Sequence, residues 1–243
     1  MLIKITTRCS MGCSHCFDDA LPDGDDMTLF IFGAALGWSR RVDPLPGVIL
    51  GGGEPTEHPM VVDFIKLAAA NNIAVMVCSN GSWMEDKQRA ALYLELPCLW
   101  QITNDERYYP RKVKVIEHET VFYVPRIASE ILPLGRSAGA TTGKQSPSCF
   151  NLRSIARHFK SLPVAIMTLR QRCKMCTPCI GADGSIYPGE SRLCASIGQV
   201  GDSDEAVLEN LLNLNCNRCG LMDKLEKQHL KAIGLINPIG DPD

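Results

Sequence analysis

Over the first hundred residues the apolar positions keep changing period. Leu2 to Thr6 is a short β-rich run. From Met27 to Val42 apolar residues recur at helical spacing (Leu29, Phe32, Leu36), with Thr28 placed as an N-cap and the PLPG segment as the stop. Val48 to Leu50 is a continuous apolar strand that runs into Gly51, Gly52 and Gly53. A helix near Met60 to Ala70, a strand Ile73 to Cys78, a helix near Met84 to Leu94 and a strand Cys98 to Thr103 continue the alternation. Repeated βα units predict a parallel sheet with right-handed crossovers, in which the loops leaving the strand C-termini share one face. Those loops are CSMGCSHC, GGGEPT, SNG and TND. They are also the least ordinary stretches of the chain, so a single active-site rim is expected there.

Beyond Asp105 the pattern is looser. Val113 to Ile116 and Thr120 to Val124 each read as a strand, and Gly135 to Ser148, rich in Gly, Ser and Thr, reads as a linker or mobile loop. Leu152 to Lys160 is a short amphipathic basic helix, and Pro163 to Leu169 is apolar. Ala182-Asp183-Gly184-Ser185 is a hairpin turn between Ile180 and the pair Ile186 and Tyr187. Asp204 to Leu214 and Leu221 to Lys231 read as helices with CNRC at the corner between them, a compact appendage held by metal.

Composition narrows the class. The chain has 243 residues, 45% hydrophobic and 21% charged, which excludes collagen-like and wholly disordered proteins. Its 25 Lys and Arg against 27 Asp and Glu leave a net charge of −2, so no global field draws it to nucleic acid or to an anionic membrane. The run Arg153, Arg157, Lys160, Arg170, Arg172 and Lys174 reads as a solvated helix face, against an acidic loop from Asp18 to Asp26. MLIKITTRCS holds no apolar segment of signal-peptide length, and Met27 to Ser39 is too short to span a bilayer. A cytoplasmic protein is expected, and in a reducing compartment clustered thiols serve as metal ligands before they serve as cystines.

The 12 cysteines fall mainly into two groups. Cys9, Cys13 and Cys16 follow C-x3-C-x2-C, a spacing that lets one loop wrap three thiolates around a cubane cluster and leaves one iron open to an exogenous ligand. Gly12 allows the loop to turn, and Phe17 follows the last thiol. The alternatives are a zinc site completed by His15, whose position between two cysteines points its ring away, and three ordinary buried thiols. Cys78, Cys98 and Cys149 stand alone and read as small buried hydrophobes.

CSMGCSHCF at the end of a first strand resembles the cluster-binding loop of radical S-adenosylmethionine (radical SAM) enzymes, and GGGEPT after the second strand resembles their GGE segment. The resemblance implies an α/β fold, a partial (β/α)6 TIM-like barrel over residues 1–145, with a small C-terminal cysteine-rich α+β domain of hairpin and helices over residues 149–243. It implies that Gly51, Gly52 and Gly53 pass close to the methionine moiety of S-adenosylmethionine and that Glu54 helps to hold its amino group. Ser79 and Asn80 resemble the pair that contacts ribose and carboxylate, and Thr103 and Asp105 stand where the family shows ribose contacts. Phe17 is expected against the cofactor. Arg136, in LGRSAG, resembles a GR segment near the end of the barrel and is expected to be a solvated loop arginine.

The second group is Cys173, Cys176, Cys179, Cys194, Cys216 and Cys219. The stretch from Cys179 through Gly189 to Cys194, followed by CNRC, resembles the auxiliary-cluster region of SPASM and twitch domains. One auxiliary 4Fe–4S cluster is implied, with Cys194, Cys216 and Cys219 as ligands and the fourth drawn from Cys173, Cys176 and Cys179; a four-thiolate zinc knuckle is the alternative.

The resulting expectation is an enzyme that cleaves S-adenosylmethionine reductively to a 5′-deoxyadenosyl radical and takes hydrogen from a substrate carbon. Its reaction outcome is open between oxidoreductase and transferase or isomerase. The substrate is expected to be a small molecule, because the barrel opens at residue 2 with no peptide-recognition module before it. A peptide-modifying maturase is the second reading, and a non-catalytic iron–sulfur or zinc protein the third. An electron donor such as a flavodoxin or ferredoxin would be required.

Overall fold

Alternation along the strands sorts their side chains into two sets. On β1 (Leu2–Thr6), Ile3 and Ile5 are fully buried, and on β2 (Gly47–Gly52) Val48 and Leu50 join them. Val75 and Val77 of β3 (Ala74–Ser79) and Trp100 and Ile102 of β4 (Leu99–Ile102) extend the same core. Helices α1 (Leu29–Val42), α2 (Val61–Ala70) and α3 (Lys87–Leu94) cover that face with Phe32, Leu36, Phe64, Ile65 and Tyr93. The other set, which includes Leu2, Lys4, Ile49, Met76 and Gln101, faces a cavity. The computed structural model describes residues 1–16, 18–43, 47–103, 109–124, 136, 161–172, 178–189 and 195–214.

The helix starts follow their caps. Thr28 Oγ1 accepts from Ile31 N–H at 3.2 Å, so α1 begins where the sequence placed it. The helix expected over Met84 to Leu94 is split instead. A short 3-10 turn, Ser82–Glu85, comes first, and Asp86 then caps α3 by accepting from the Gln88 and Arg89 N–H groups at 2.9 and 3.1 Å. Of the two strands expected after Asp105, only the second forms, as β5 (Val121–Tyr123). Val113 to Ile116 is not a strand: Ile116 N–H donates to the Tyr123 hydroxyl at 2.7 Å, and that hydroxyl donates to the Ile116 carbonyl at 2.9 Å, so a side chain takes the bonds a ladder would have used.

The strands form one sheet in the order β5-β4-β3-β2-β1-β6-β7-β8, where β6 is Cys179–Ile180, β7 Ser185–Tyr187 and β8 Gly198–Gln199. Pairings from β5 to β6 are parallel, and those of β6, β7 and β8 are antiparallel. The architecture is therefore α/β with a parallel-dominated sheet, as expected. Among the described residues β1 to β4 alternate with helices, β5 lies beside β4, and β6 joins the free edge of β1 in register Leu2 to Cys179 and Ile3 to Ile180. The hairpin turn lies where expected, with Gly184 at φ +83° and Asp183 Oδ1 accepting from Ser185 N–H at 3.1 Å. Helix α4 (Leu162–Arg172) covers the apolar stretch from Pro163, and α5 (Asp204–Asn213) packs Val207 and Leu211 into the core that holds Ile3 and Leu50. The expected basic helix from Leu152, the helix from Leu221, the CNRC corner and the linker apart from Arg136 lie outside the described residues. No helix among the described residues is long and apolar enough to cross a membrane.

His58 ties the second βα loop to the first. Its Nε2–H donates to the Met27 carbonyl at 2.9 Å while Nδ1 accepts from Met60 N–H at 3.0 Å, an arrangement only the neutral ring satisfies. Burial holds its pKa below the ordinary 6.5. The folded protein thus takes up this proton less readily than the unfolded chain, and the stability His58 contributes is present above about pH 6.5 and lost as pH falls through the lowered folded value. Melts between about pH 7.5 and 5.5 are expected to show a steeper loss of Tm in the wild type than in His58→Gln.

Candidate active site

The cysteine loop leaves β1 and is fastened on three sides. Cys9 N–H donates to the Leu21 carbonyl at 2.8 Å, and Gly12, at φ +67°, supplies the turn between Cys9 and Cys13. Glu57, in the 3-10 turn Pro55–Glu57, accepts from Ser10 N–H at 2.9 and 3.0 Å and from Ser10 Oγ at 2.7 Å. The GGG segment runs beside the loop: Gly53 N–H donates to the Thr6 carbonyl at 2.8 Å and Glu54 N–H to the Arg8 carbonyl at 2.7 Å. A Cβ on Gly52 would strike the Thr6 carbonyl oxygen, and one on Gly53 the Arg8 carbonyl oxygen. The glycines are thus required by the close approach of two backbones within the protein.

Arg136 holds the third side. Its Nε donates to the Cys13 carbonyl at 2.9 Å and its Nη1 to the Ala20 carbonyl at 2.8 Å, with Asp19 at 3.2 Å, and its own N–H donates to the Cys16 carbonyl at 3.0 Å. The expectation of a solvated arginine is corrected: its side chain is 25% exposed and its planar fork suits carbonyls of the cysteine loop. Arg136→Ala is expected to weaken retention of a loop-bound cofactor about 10- to 100-fold, and Arg136→Lys to restore little of it, because one ammonium does not reproduce the fork. Iron content after a chelator challenge checks this.

Glu54 is the hub of the polar side. It is 1% exposed, and its Oε1 accepts from Thr56 N–H (3.1 Å), Thr56 Oγ1 (2.6 Å) and Ser79 Oγ (2.8 Å), while Oε2 accepts from Asn80 N–H (2.7 Å). Burial raises its pKa above the ordinary glutamate value, opposed by these four donors. Ser79 and Asn80 also shape the turn after β3: Ser79 Oγ accepts from Gly81 N–H at 3.0 Å and Asn80 Oδ1 from Ser82 N–H at 2.8 Å. Asn80 Nδ2 lies 3.9 Å from Cys9 Sγ, linking the polar side to the thiols.

One cavity of about 340 Å³ is walled by Cys9, Cys13, Cys16, Gly51, Gly52, Gly53, Glu54, Ser79, Asn80 and Thr103. The structure thus brings together every described residue that the sequence assigned to the N-terminal site. Phe17, Asp105, Cys173, Cys176, Cys194, Cys216 and Cys219 lie outside the described residues. Cys179 is fully buried at the start of β6, opposite Leu2, with its thiol donating to the Gly189 carbonyl at 3.4 Å. The ring of His15 lines the cavity, where it stacks on Tyr109 with centroids 6.0 Å apart. Cys78 also faces the cavity, contrary to the core role expected of it, whereas Cys98 is buried as expected.

The donor set fits an iron–sulfur cluster. Burial pushes the Cys9 thiol up to about 11 and the Cys13 thiol up to about 12, values that a metal cation reverses by stabilising the thiolate. Among the described residues no three His, Cys, Asp or Glu side chains converge on a point fit for a single ion, so the zinc site completed by His15 has no preformed geometry. A cubane takes one thiolate per iron and needs no such convergence.

Fold and cavity together form a parallel-dominated α/β sheet with a thiol-lined cavity at the ends of its strands. A search of family profiles finds none that matches the chain. In structure the chain is similar to BtrN in complex with AdoMet and 2-DOIA (11% identity, 96% of this chain and 85% of that one, TM-score 0.55). It is also similar to anSMEcpe with bound AdoMet and the Cp18Cys peptide (13% identity, 93% and 84%, TM-score 0.50). In sequence it is 30% identical over 101 residues to the tungsten-containing aldehyde ferredoxin oxidoreductase cofactor-modifying protein of Pyrococcus furiosus. That match takes in 40% of this chain and 28% of the relative.

Proposed function

We propose that Cys9, Cys13 and Cys16 hold a 4Fe–4S cluster on which S-adenosylmethionine binds, and that the protein uses it to abstract hydrogen from a small-molecule substrate. The observation that carries this reading is the single cavity shared by the three thiols, the GGG segment, Glu54, Ser79 and Asn80. When bound, the cluster supplies the electron that splits the sulfonium and yields a 5′-deoxyadenosyl radical. The chain's own residues do the rest. Among the described residues Oε2 of Glu54 takes one donor, Asn80 N–H, and so keeps a lone pair for the ammonium of the cofactor. Leu2, Ile49 and Met76 give the cavity an apolar floor that excludes water from a reactive intermediate. An auxiliary 4Fe–4S cluster or zinc in the C-terminal segment, a flavodoxin or ferredoxin as electron donor and a cytoplasmic location belong to the same reading.

A peptide substrate is the second reading, favoured by the peptide bound in anSMEcpe. The test is anaerobic reduction of the reconstituted protein with S-adenosylmethionine. Release of 5′-deoxyadenosine and methionine is expected; binding without release would make the protein non-catalytic. A release rate raised by fractionated small metabolites supports the first reading, and one raised only by peptides the second.

A further inference from the structure

The cavity is layered by the register of its strands. Leu2 pairs with Ile49 and Ile49 with Met76, which forms an apolar rung at the bottom. Two residues further along each strand, Lys4 pairs with Gly51 and Cys78 with Gln101, and these four residues form the next rung. Above it come Gly53, Asn80 and Thr103 with the cysteine loop. The middle rung therefore lies above the apolar floor and borders, at Gly51, the level assigned to cluster and cofactor.

Lys4 is the charged member of that rung. Its side chain is 2% exposed, and Nζ lies 2.6 Å from Oδ1 of Asp18, whose side chain is 9% exposed. Both residues line the cavity. A buried ion pair is a poor device for stability, because desolvation of two charges cancels most of their attraction and an apolar pair of similar size does as well. Asp18 does not come from the sheet: it follows the cysteine loop, two residues after Cys16, and reaches down to the middle rung from there. A carboxylate delivered by a loop onto a lysine fixed in a strand occupies the place where a ligand carboxylate would sit, at the same charge balance.

We infer that Lys4 anchors the substrate, and that the substrate is a small molecule bearing a carboxylate which replaces Asp18 on the lysine. This rests on the proposed function, since the rung is a substrate subsite only if the cofactor lies above it. Among the described residues that line the cavity Lys4 is the one Lys or Arg, and a single ammonium matches the charge of a carboxylate better than that of a phosphate dianion. The apolar floor then receives the end of the molecule remote from the carboxylate, and the carbon that loses hydrogen lies between the two.

The test titrates the anaerobically reconstituted full chain, in the presence of S-adenosylmethionine, with propionate, inorganic phosphate and propylammonium. The NMR signal of the Lys4 ammonium is followed, assigned with Lys4→Arg, and cofactor retention is counted in the same samples. Propionate is expected to shift the signal saturably, more tightly than phosphate, and propylammonium to leave it alone. Asp18→Asn is expected to tighten propionate about tenfold by removing the competing carboxylate, and Lys4→Met to abolish its binding as measured by calorimetry. Tighter binding of phosphate, binding of propylammonium, no saturable shift, or weaker propionate binding in Asp18→Asn would overturn the inference. Should Lys4→Met not fold, the Asp18→Asn result decides alone. A wild type that retains cofactor and ignores propionate sinks this inference only; a wild type that retains no cofactor sinks the proposed function with it.

Discussion

Cys13→Ala, purified and reconstituted without oxygen, is expected to lose the iron of the N-terminal site and to form 5′-deoxyadenosine at background level. Cys13 is 9% exposed, and its thiol is held near 12 by burial, so nothing but a cation draws out its thiolate at neutral pH. Removing it leaves two thiols in a loop built for three, and a serine at the same position supplies a hard, protonated oxygen that is a poor ligand for iron–sulfur chemistry. Cys98→Ala is the control. Its thiol is buried outside the cavity and packs as a small hydrophobe, so that variant is expected to keep its iron and its turnover. Iron counting and product chromatography on the two proteins side by side check the pair. Equal iron in Cys13→Ala and wild type would contradict the assignment of the loop.

The second large effect falls on stability. Glu54→Ala removes the acceptor of four donors at once, two of them backbone N–H groups, those of Thr56 and Asn80, which cannot turn away. The hydroxyls of Thr56 and Ser79 can rotate, and water from the cavity can reach part of the gap, so the cost is less than the sum of four orphaned donors. About 3 to 5 kcal/mol is expected. Glu54→Gln should cost about 1 to 3 kcal/mol, because its amide keeps an acceptor for Thr56 and Ser79 but sets an NH₂ against the Asn80 N–H. Urea unfolding of the cofactor-free protein measures both. A loss below about 1 kcal/mol for the alanine variant would mean that Glu54 is not the hub of this loop system.

The parts of the fold legible in the sequence are those with a repeating cause. β1 to β4 and α1 to α3 each carry enough apolar residues for the period to show, and Thr28 announces a helix start by its chemistry. The three thiols stood out by their C-x3-C-x2-C spacing and the GGGE segment by its resemblance to a family motif, and both line the cavity. What was not legible depends on closure in three dimensions. The two-residue strand β6 has no period, and its partner Leu2 lies at the other end of the chain. Nothing local marks Arg136 as the clasp on the Cys13 and Ala20 carbonyls, nor Lys4 as the partner of Asp18. The three glycines read as room for a cofactor, whereas Gly52 and Gly53 are demanded first by the carbonyls of Thr6 and Arg8.

The central claim is a cluster on Cys9, Cys13 and Cys16 with one iron open to S-adenosylmethionine. Electron paramagnetic resonance of the reduced, anaerobically reconstituted protein, recorded with and without that nucleotide, tests it most directly. The account predicts a reduced 4Fe–4S signal whose g-values move on addition of S-adenosylmethionine, and no such movement in Cys13→Ala. A protein without iron, or a wild-type spectrum that the nucleotide leaves unchanged, would contradict it.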